Sequence, residues 1–367
     1  MSNRRNFLKK MGVGAASLVF AGTATTITKA SALTAKPFPV VDPLKSLYFN
    51  ANKKYKIVQF SDLHYVPENE KLSADTKHVK LVKASKAALD NISTVLDIEK
   101  PDLVILTGDI VWGEPAERAL KDVLKPIVDR NQKFAVMWGN HDAERDLTNA
   151  QLQKIVENTP GNVGIDDKDL IGNSDFTLPI LDKKQKPTFL LYGIDSHAYS
   201  NLPQVEGYDW IKNEQVEAYK KQSKAYTQLN GGIPIPALAF FHIPLPEYNL
   251  AASDESLPLL GMRAEKACAP QINSGMFTAM LQGGDVMGTF VGHDHDNNYV
   301  MEYFGITLGY GQFSGGKTVY FNLPCGNGAR VFELTSGERG FKTWIRLHSG
   351  EKMFEYKKMM TVLKDKK

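Results

Sequence analysis

Three short β-type runs, residues 55–60, 103–107 and 134–138, each end in a polar motif, and two segments of helical spacing, 73–98 and 115–130, lie between them. That βαβαβ rhythm constrains the fold more than any other feature. Parallel strands need long crossovers, and helical crossovers cover both faces of the sheet. The chain is therefore predicted to be α/β, with a mainly parallel sheet flanked by helices. Open sheets of this kind place their sites just beyond the carboxyl ends of the strands. At those ends stand Asp62-Leu63-His64, Gly108-Asp109 and Gly139-Asn140-His141-Asp142. Two later runs, 237–241 and 288–291, end at His242 and at Gly292-His293-Asp294-His295. Residues 188–194 also read as a strand and 213–229 as a helix, and the last third is strand-rich over 299–304, 306–308, 329–334 and 341–347.

Brought to one edge, these motifs offer three oxygen donors (Asp62, Asp109, Asn140) and four imidazoles (His64, His242, His293, His295). Five of the eight histidines fall inside the motifs, which makes chance placement a poor account of them. Carboxylate, amide and imidazole without thiolate suit two borderline metals such as Mn, Fe or Zn and disfavour Ca. Two such ions a few ångströms apart clamp a phosphoryl group for in-line displacement. Asp62 and His64, two apart at a strand end, point the same way, as do His293 and His295. Glycines 108, 139 and 292 let the backbone turn sharply beside the ions. Asp109 can bridge two metals with its two oxygens, and Asn140 binds without adding charge. Each motif alone is weak evidence: a lone His242 is more often a satisfied strand-end histidine. The complete ordered set carries the argument.

The order Asp-x-His, Gly-Asp, Gly-Asn-His-Asp, His, Gly-His-x-His resembles the calcineurin-like metallophosphoesterase superfamily over about residues 55–347. Tyr192-Gly193-Ile194-Asp195, Gly207-Tyr208-Asp209-Trp210-Ile211 and Phe241-His242-Ile243-Pro244 are similar to the branch that holds the plant purple-acid-phosphatase-29-like proteins. The resemblance implies a sandwich of two mixed β-sheets flanked by helices. It implies that Asp62, His64, Asp109 and His295 hold one metal and Asp109, Asn140, His242 and His293 the other. It further implies hydrolysis of a phosphate ester by a hydroxide between the metals. His141 would then serve as general acid, oriented by Asp142 or another carboxylate. Purple acid phosphatases carry a tyrosine three residues after the Gly-Asp aspartate. Trp112 stands there in this chain, so a tyrosinate ligand is not implied and the metal identity stays open.

Other polar residues carry thinner arguments. Arg145 can reach a phosphate or start a surface helix. Asp294 and Asp296 can support the histidines or be solvated loop acids. His197 is not expected as a ligand, because the set is full without it, and His78 and His348 read as surface residues. Trp112, Trp138 and Tyr310 can line a pocket, although aromatics near a sheet are more often core. Phosphomonoester hydrolysis is the leading expectation. A phosphodiesterase of the same fold (acting on cyclic nucleotides, nucleic acid or phospholipid headgroups) is the alternative, and a catalytically silent metal-binding protein is the third.

Residues 1–32 read as a twin-arginine export signal, with Arg4-Arg5 in an Asn-Phe-Leu-Lys context, an apolar stretch over 11–21 and Ala30-Ser31-Ala32 as a cleavage site. The apolar stretch is too short for a good membrane span. The expectation is a periplasmic or extracellular protein delivered by the twin-arginine machinery. Of the 44 basic residues, five lie in 1–32, which has no acid. The remaining 39 against 41 acids leave the mature chain near −2, which gives no support to nucleic-acid binding. Only Cys268 and Cys325 are present; they can pair in an oxidising compartment or remain separate buried thiols. Residues 33–54 read as a lead-in, 55–350 as one domain and 351–367 as a basic tail. Residues 243–275, with four prolines and no clear period, read as a loop over the site.

Overall fold

The computed structural model describes residues 46–359. The signal-type segment, residues 1–32, lies outside the described residues. The first half runs β1 (Leu47–Tyr48), β2 (Lys54–Phe60), α1 (Thr76–Glu99), β3 (Leu103–Thr107), α2 (Ala116–Val128), β4 (Phe134–Met137), α3 (Asn149–Glu157), β5 (Phe176–Leu181) and β6 (Pro187–Gly193). It continues with α4 (Asn213–Leu229), β7 (Ala237–Phe240), α5 (Glu247–Ala252), β8 (Leu259–Leu260), α6 (Met276–Gly283) and β9 (Val286–Val291). Strands β10 (Val300–Tyr303), β11 (Ile306–Tyr310), β12 (Gly328–Thr335), β13 (Gly340–Leu347) and β14 (Lys352–Met359) follow.

Two mixed sheets form. One has the order β14-β13-β12-β2-β3-β4 and the other β1-β5-β6-β7-β9-β11-β10-β8. The predicted parallel trio β2, β3 and β4 pairs in register, Ile57 with Leu103 and Val104 with Phe134. In the second sheet β6, β7, β9 and β11 are parallel. The two-residue period of the strands divides the core into layers. Ile57, Leu103, Ile105 and Met137 face inward with Leu191, Leu238, Phe240 and Phe290 from the other sheet. Val58, Val104, Leu106 and Val136 face outward against Ile92 and Val95 of α1, Leu120 and Val123 of α2 and Leu152 of α3.

The helices form where the sequence provides both an apolar stripe and an end. Asp75 caps α1 by accepting from the amides of Lys77 and His78. On α2, the pairs Glu117–Lys121, Arg118–Asp122 and Lys125–Asp129 lie i,i+4 on the solvent side. Thr148 and Gln151 close a capping box on α3. At the second sheet, α5 packs on β10 and α6 on β9, with α4 against α6.

Several sequence expectations need correction. Residues 352–359, read as a basic tail, are strand β14, hydrogen-bonded to β13. Its lysines belong on an edge, where charge discourages pairing with a second chain. Strand β5 was missed because Pro179 interrupts its period, although Phe176, Leu178 and Ile180 alternate inward. Residues 243–275 contain α5 and β8. They run along the loop after β9, where the Ala264 amide donates to the Asp296 carbonyl and the Cys268 amide to Asp294 Oδ1. His78, expected at the surface, is buried.

Candidate metal centre

Both sheets deliver ligands at the same end. Asp62 and His64 follow β2, Asp109 follows β3, and Asn140 follows β4. His242 follows β7, and His293 and His295 follow β9. The backbone turns hard at these points. Asp62 (φ 57°), His64 (41°), Asp109 (51°) and His293 (77°) are left-handed non-glycine residues. Such conformations cost on the order of 1–3 kcal/mol each and persist where the surroundings fix them. Only Gly108 of the three motif glycines has a positive φ. Gly139 and Gly292 serve close approach instead. A Cβ at 139 would stand 2.2 Å from Asp109 Oδ1, and one at 292 would stand 1.9 Å from Ser61 Oγ.

The donors converge in two clusters. Asp62, His64, Asp109 and His295 offer ligand atoms within 4.8 Å of one another, and so do Asp109, His242 and His293. His64 Nε2 lies 3.0 Å from His295 Nε2. Asp109 Oδ2 is the shared atom, 3.5 Å from His64 Nε2 and 3.3 Å from His242 Nε2. Asn140 Oδ1 joins the second cluster, 3.2 Å from His242 Nε2. Asp109 Oδ1 accepts the His141 amide at 2.9 Å, so a single oxygen faces both clusters, where a two-oxygen bridge was expected. All seven side chains are buried.

The supporting contacts fix which atom each imidazole presents. His242 Nδ1 donates to the Thr107 carbonyl at 2.8 Å and His295 Nδ1 to the Tyr320 carbonyl at 2.9 Å, which turns both Nε2 atoms inward. The partners are backbone carbonyls, and Asp294 and Asp296 are neither histidine partners nor solvated loop acids, because both are buried. Asp294 accepts from Tyr310 OH and Asp296 from Asn322. Of the four ligand imidazoles, two have a ring nitrogen, His64 Nδ1 and His293 Nε2, buried without a hydrogen-bond partner among the described residues.

The protein charges alone polarise the cluster. Burial disfavours the charged forms of His64 and His293, which are held well below the usual histidine range as neutral imidazoles. Burial also opposes the His242 imidazolium, but the Asp109 carboxylate outweighs it and carries the group to about 10. Despite burial, Asp109 is held well below the carboxylate range, chiefly by His242. Burial raises Asp62. Two buried carboxylates, inward-facing Nε2 atoms that release any proton on binding metal, and an unpartnered His293 nitrogen form a donor set that two borderline cations satisfy.

His141 stands at the margin and is partly exposed. Its ring packs edge-on against Trp112 (4.9 Å between centroids) and lies 5.6 Å from that of His64. Asp142 does not orient it. Asp142 is fully buried and accepts four backbone amides: Asp109 and Gly139 on Oδ2, Ile110 and Val111 on Oδ1. Burial and the neighbouring Asp109 raise it to about 6. The carboxylate near His141 is Glu144, whose Oε1 lies 2.9 Å from Nδ1, at an angle outside hydrogen-bond alignment.

Around this margin sit aromatic side chains. Tyr320 stacks on His295, and Tyr208 meets His293 edge-on. Trp112 carries the Arg145 guanidinium 4.7 Å above its ring, and α3 starts only at Asn149, so Arg145 starts no helix. Trp138 and Tyr310 are core. His197 bonds Gln215 and takes no part in the clusters. Cys268 and Cys325 are both free thiols, but Cys268 is exposed and Cys325 only partly buried, so they are neither the expected pair nor two buried thiols. The residues that sequence reasoning missed are Glu144 and Tyr199. Tyr199 OH accepts from Asn140 Nδ2 at 3.0 Å.

The profile of the calcineurin-like phosphoesterase family matches residues 55–297. The chain is 31% identical to the Arabidopsis thaliana protein named "Probable inactive purple acid phosphatase 29", over 85% of this chain and 87% of that one. It is 34% identical to Phosphatase DCR2 of Saccharomyces cerevisiae, over 84% of this chain and 56% of that protein. Among solved structures, a dimetal phosphatase from Danio rerio superimposes with a TM-score of 0.56 at 12% identity, covering 84% of this chain and 99% of the other. At that identity the likeness shows the fold, which is the two-sheet α/β architecture described above. The chain belongs to the calcineurin-like phosphoesterase family.

Proposed function

We propose that the chain is an exported dinuclear-metal hydrolase of phosphomonoesters. The observation that carries the reading is the pair of donor clusters sharing Asp109 Oδ2, with His141 at their margin. A pair of Mn, Fe or Zn ions held there would supply Lewis acidity, to activate a water and to neutralise charge on the phosphoryl oxygens.

The chain's own residues account for the rest. Asp62 and Asp109 give negative charge to the centre, and Asn140 adds a donor without further charge. Thr107 and Tyr320 hold His242 and His295 with Nε2 turned toward the centre. His141 has Nδ1 beside Glu144, which leaves Nε2 to protonate the departing oxygen. The name of the plant relative speaks of that protein; in this chain Asp109, Asn140 and His141 are all present. Export by the twin-arginine route rests on residues 4–32, and no helix among the described residues is long and apolar enough to cross a membrane.

The test is a hydrolysis assay of the mature protein reconstituted with Mn, using 4-nitrophenyl phosphate and bis(4-nitrophenyl) phosphate. The reading expects the monoester to turn over faster. Faster turnover of the diester would place the chain among the diesterases, and turnover of neither would overturn the hydrolase reading.

A further inference from the structure

We infer that Tyr199 is a positioning residue that sets one metal ligand and the candidate acid together through a single hydroxyl. Tyr199 lies in the loop between β6 and α4. Its backbone bridges that of Tyr208 in antiparallel fashion, and the Ser200 amide donates to the Gly207 carbonyl at 2.9 Å, so the loop has a fixed frame. The Tyr199 ring stacks on Tyr208 at 5.6 Å and 23°, and Tyr208 meets His293 edge-on at 4.5 Å. The ring is half exposed, yet its hydroxyl points into the site.

That hydroxyl makes two contacts with different consequences. It accepts from Asn140 Nδ2 at 3.0 Å, and an amide held by its nitrogen must turn its oxygen the other way. Asn140 Oδ1 accordingly faces His242 Nε2 at 3.2 Å, among the ligands of the second cluster. The reversed amide would direct an NH₂ group at the cation. The same hydroxyl donates to Glu144 Oε1 at 3.3 Å, and that oxygen lies 2.9 Å from His141 Nδ1. Holding Glu144 in place keeps a carboxylate beside Nδ1 and so positions the His141 ring with its Nε2 edge turned away from Glu144. Ring stacking alone would do neither. The acid half of the inference rests on the hydrolase reading, and the Asn140 half does not.

The experiment compares Tyr199→Phe and Glu144→Gln with the parent protein. Mn affinity is measured by calorimetric titration, and turnover is measured on an alkyl phosphate and on 4-nitrophenyl phosphate. Tyr199→Phe keeps the stacked ring and loses the hydroxyl. Its Mn affinity at the weaker site is expected to fall about tenfold, and the alkyl phosphate should lose about tenfold more in kcat than the nitrophenyl ester. Glu144→Gln should reproduce the leaving-group effect while keeping the parent's Mn affinity. Parent-like Mn affinity in Tyr199→Phe would overturn the Asn140 half. Equal losses on both esters would overturn the acid half. A parent protein that hydrolyses neither ester would end the hydrolase reading, and the Mn titration would still decide the role of Tyr199 at Asn140.

Discussion

Replacing Asp142 by Asn separates a structural anchor from a catalytic partner. Asp142 Oδ1 accepts the amides of Ile110 (2.7 Å) and Val111 (2.8 Å), and Oδ2 accepts those of Asp109 (2.9 Å) and Gly139 (2.7 Å). Asparagine keeps one acceptor oxygen and turns an NH₂ group toward the other two amides. Two buried N–H groups then lack acceptors, at about 1–3 kcal/mol each, for a total loss of about 2–6 kcal/mol. The side chain is fully buried, so water cannot take over. If the retained oxygen serves Ile110 and Val111, the unpaired amides belong to Asp109 and Gly139, at the shared ligand and directly before Asn140. Metal affinity should weaken along with stability. The assay is urea unfolding of chelator-treated protein, which removes the contribution of bound ions to apparent stability, followed by Mn titration of the folded variant. A variant of parent-like stability and Mn affinity, slowed only in turnover of poor leaving groups, would refute this reasoning and return Asp142 to the role of orienting His141.

Three further outcomes are expected. His141→Ala should retain its metals and lose roughly 10²–10⁴-fold in turnover, with a smaller loss on nitrophenyl than on alkyl esters; equal losses would remove His141 from the acid role. Burial, then the neighbouring Asp195, raises Asp175 from near 3.8 to about 8. A raised carboxyl contributes stability in full below its unfolded value and loses it as pH rises through the folded one. Melting temperature should therefore fall between about pH 4 and pH 8 in the parent and fall less in Asp175→Asn; parallel pH profiles would contradict this. Lys at both Arg4 and Arg5 should retain the protein in the cytoplasm, and unchanged delivery in cell fractionation would point to a different export route.

The ligand set was readable from the chain because its physical signature is local. A polar ligand type just after an apolar run, with glycine beside Asp109, Asn140 and His293, needs no tertiary information to be noticed, and strands β2, β3 and β4 announce themselves by composition. What the sequence concealed depends on contacts across the fold. Asp142 is adjacent to His141 in sequence and suggests a dyad, but in this tight loop the Asp142 side chain turns to backbone amides over thirty residues away in sequence. Glu144 sits in a polar stretch that reads as surface. Tyr199 belongs to a loop whose course is set by its pairing with Tyr208, and no periodic pattern marks it. Strand β14 carries the charge of an exposed edge, so its composition imitates a tail. Conversely, Pro179 disguised β5: it falls just before the two residues that pair with β1, where the missing amide costs little.

The central claim is that Asp109 Oδ2 joins two cation sites. Anomalous diffraction from crystals of Mn-loaded protein tests it directly. Two peaks are expected, one among Asp62, His64 and His295 and one among Asn140, His242 and His293, both within bonding distance of Asp109 Oδ2, and both lost in Asp109→Asn. A single peak, or two peaks that survive in Asp109→Asn, would contradict the account.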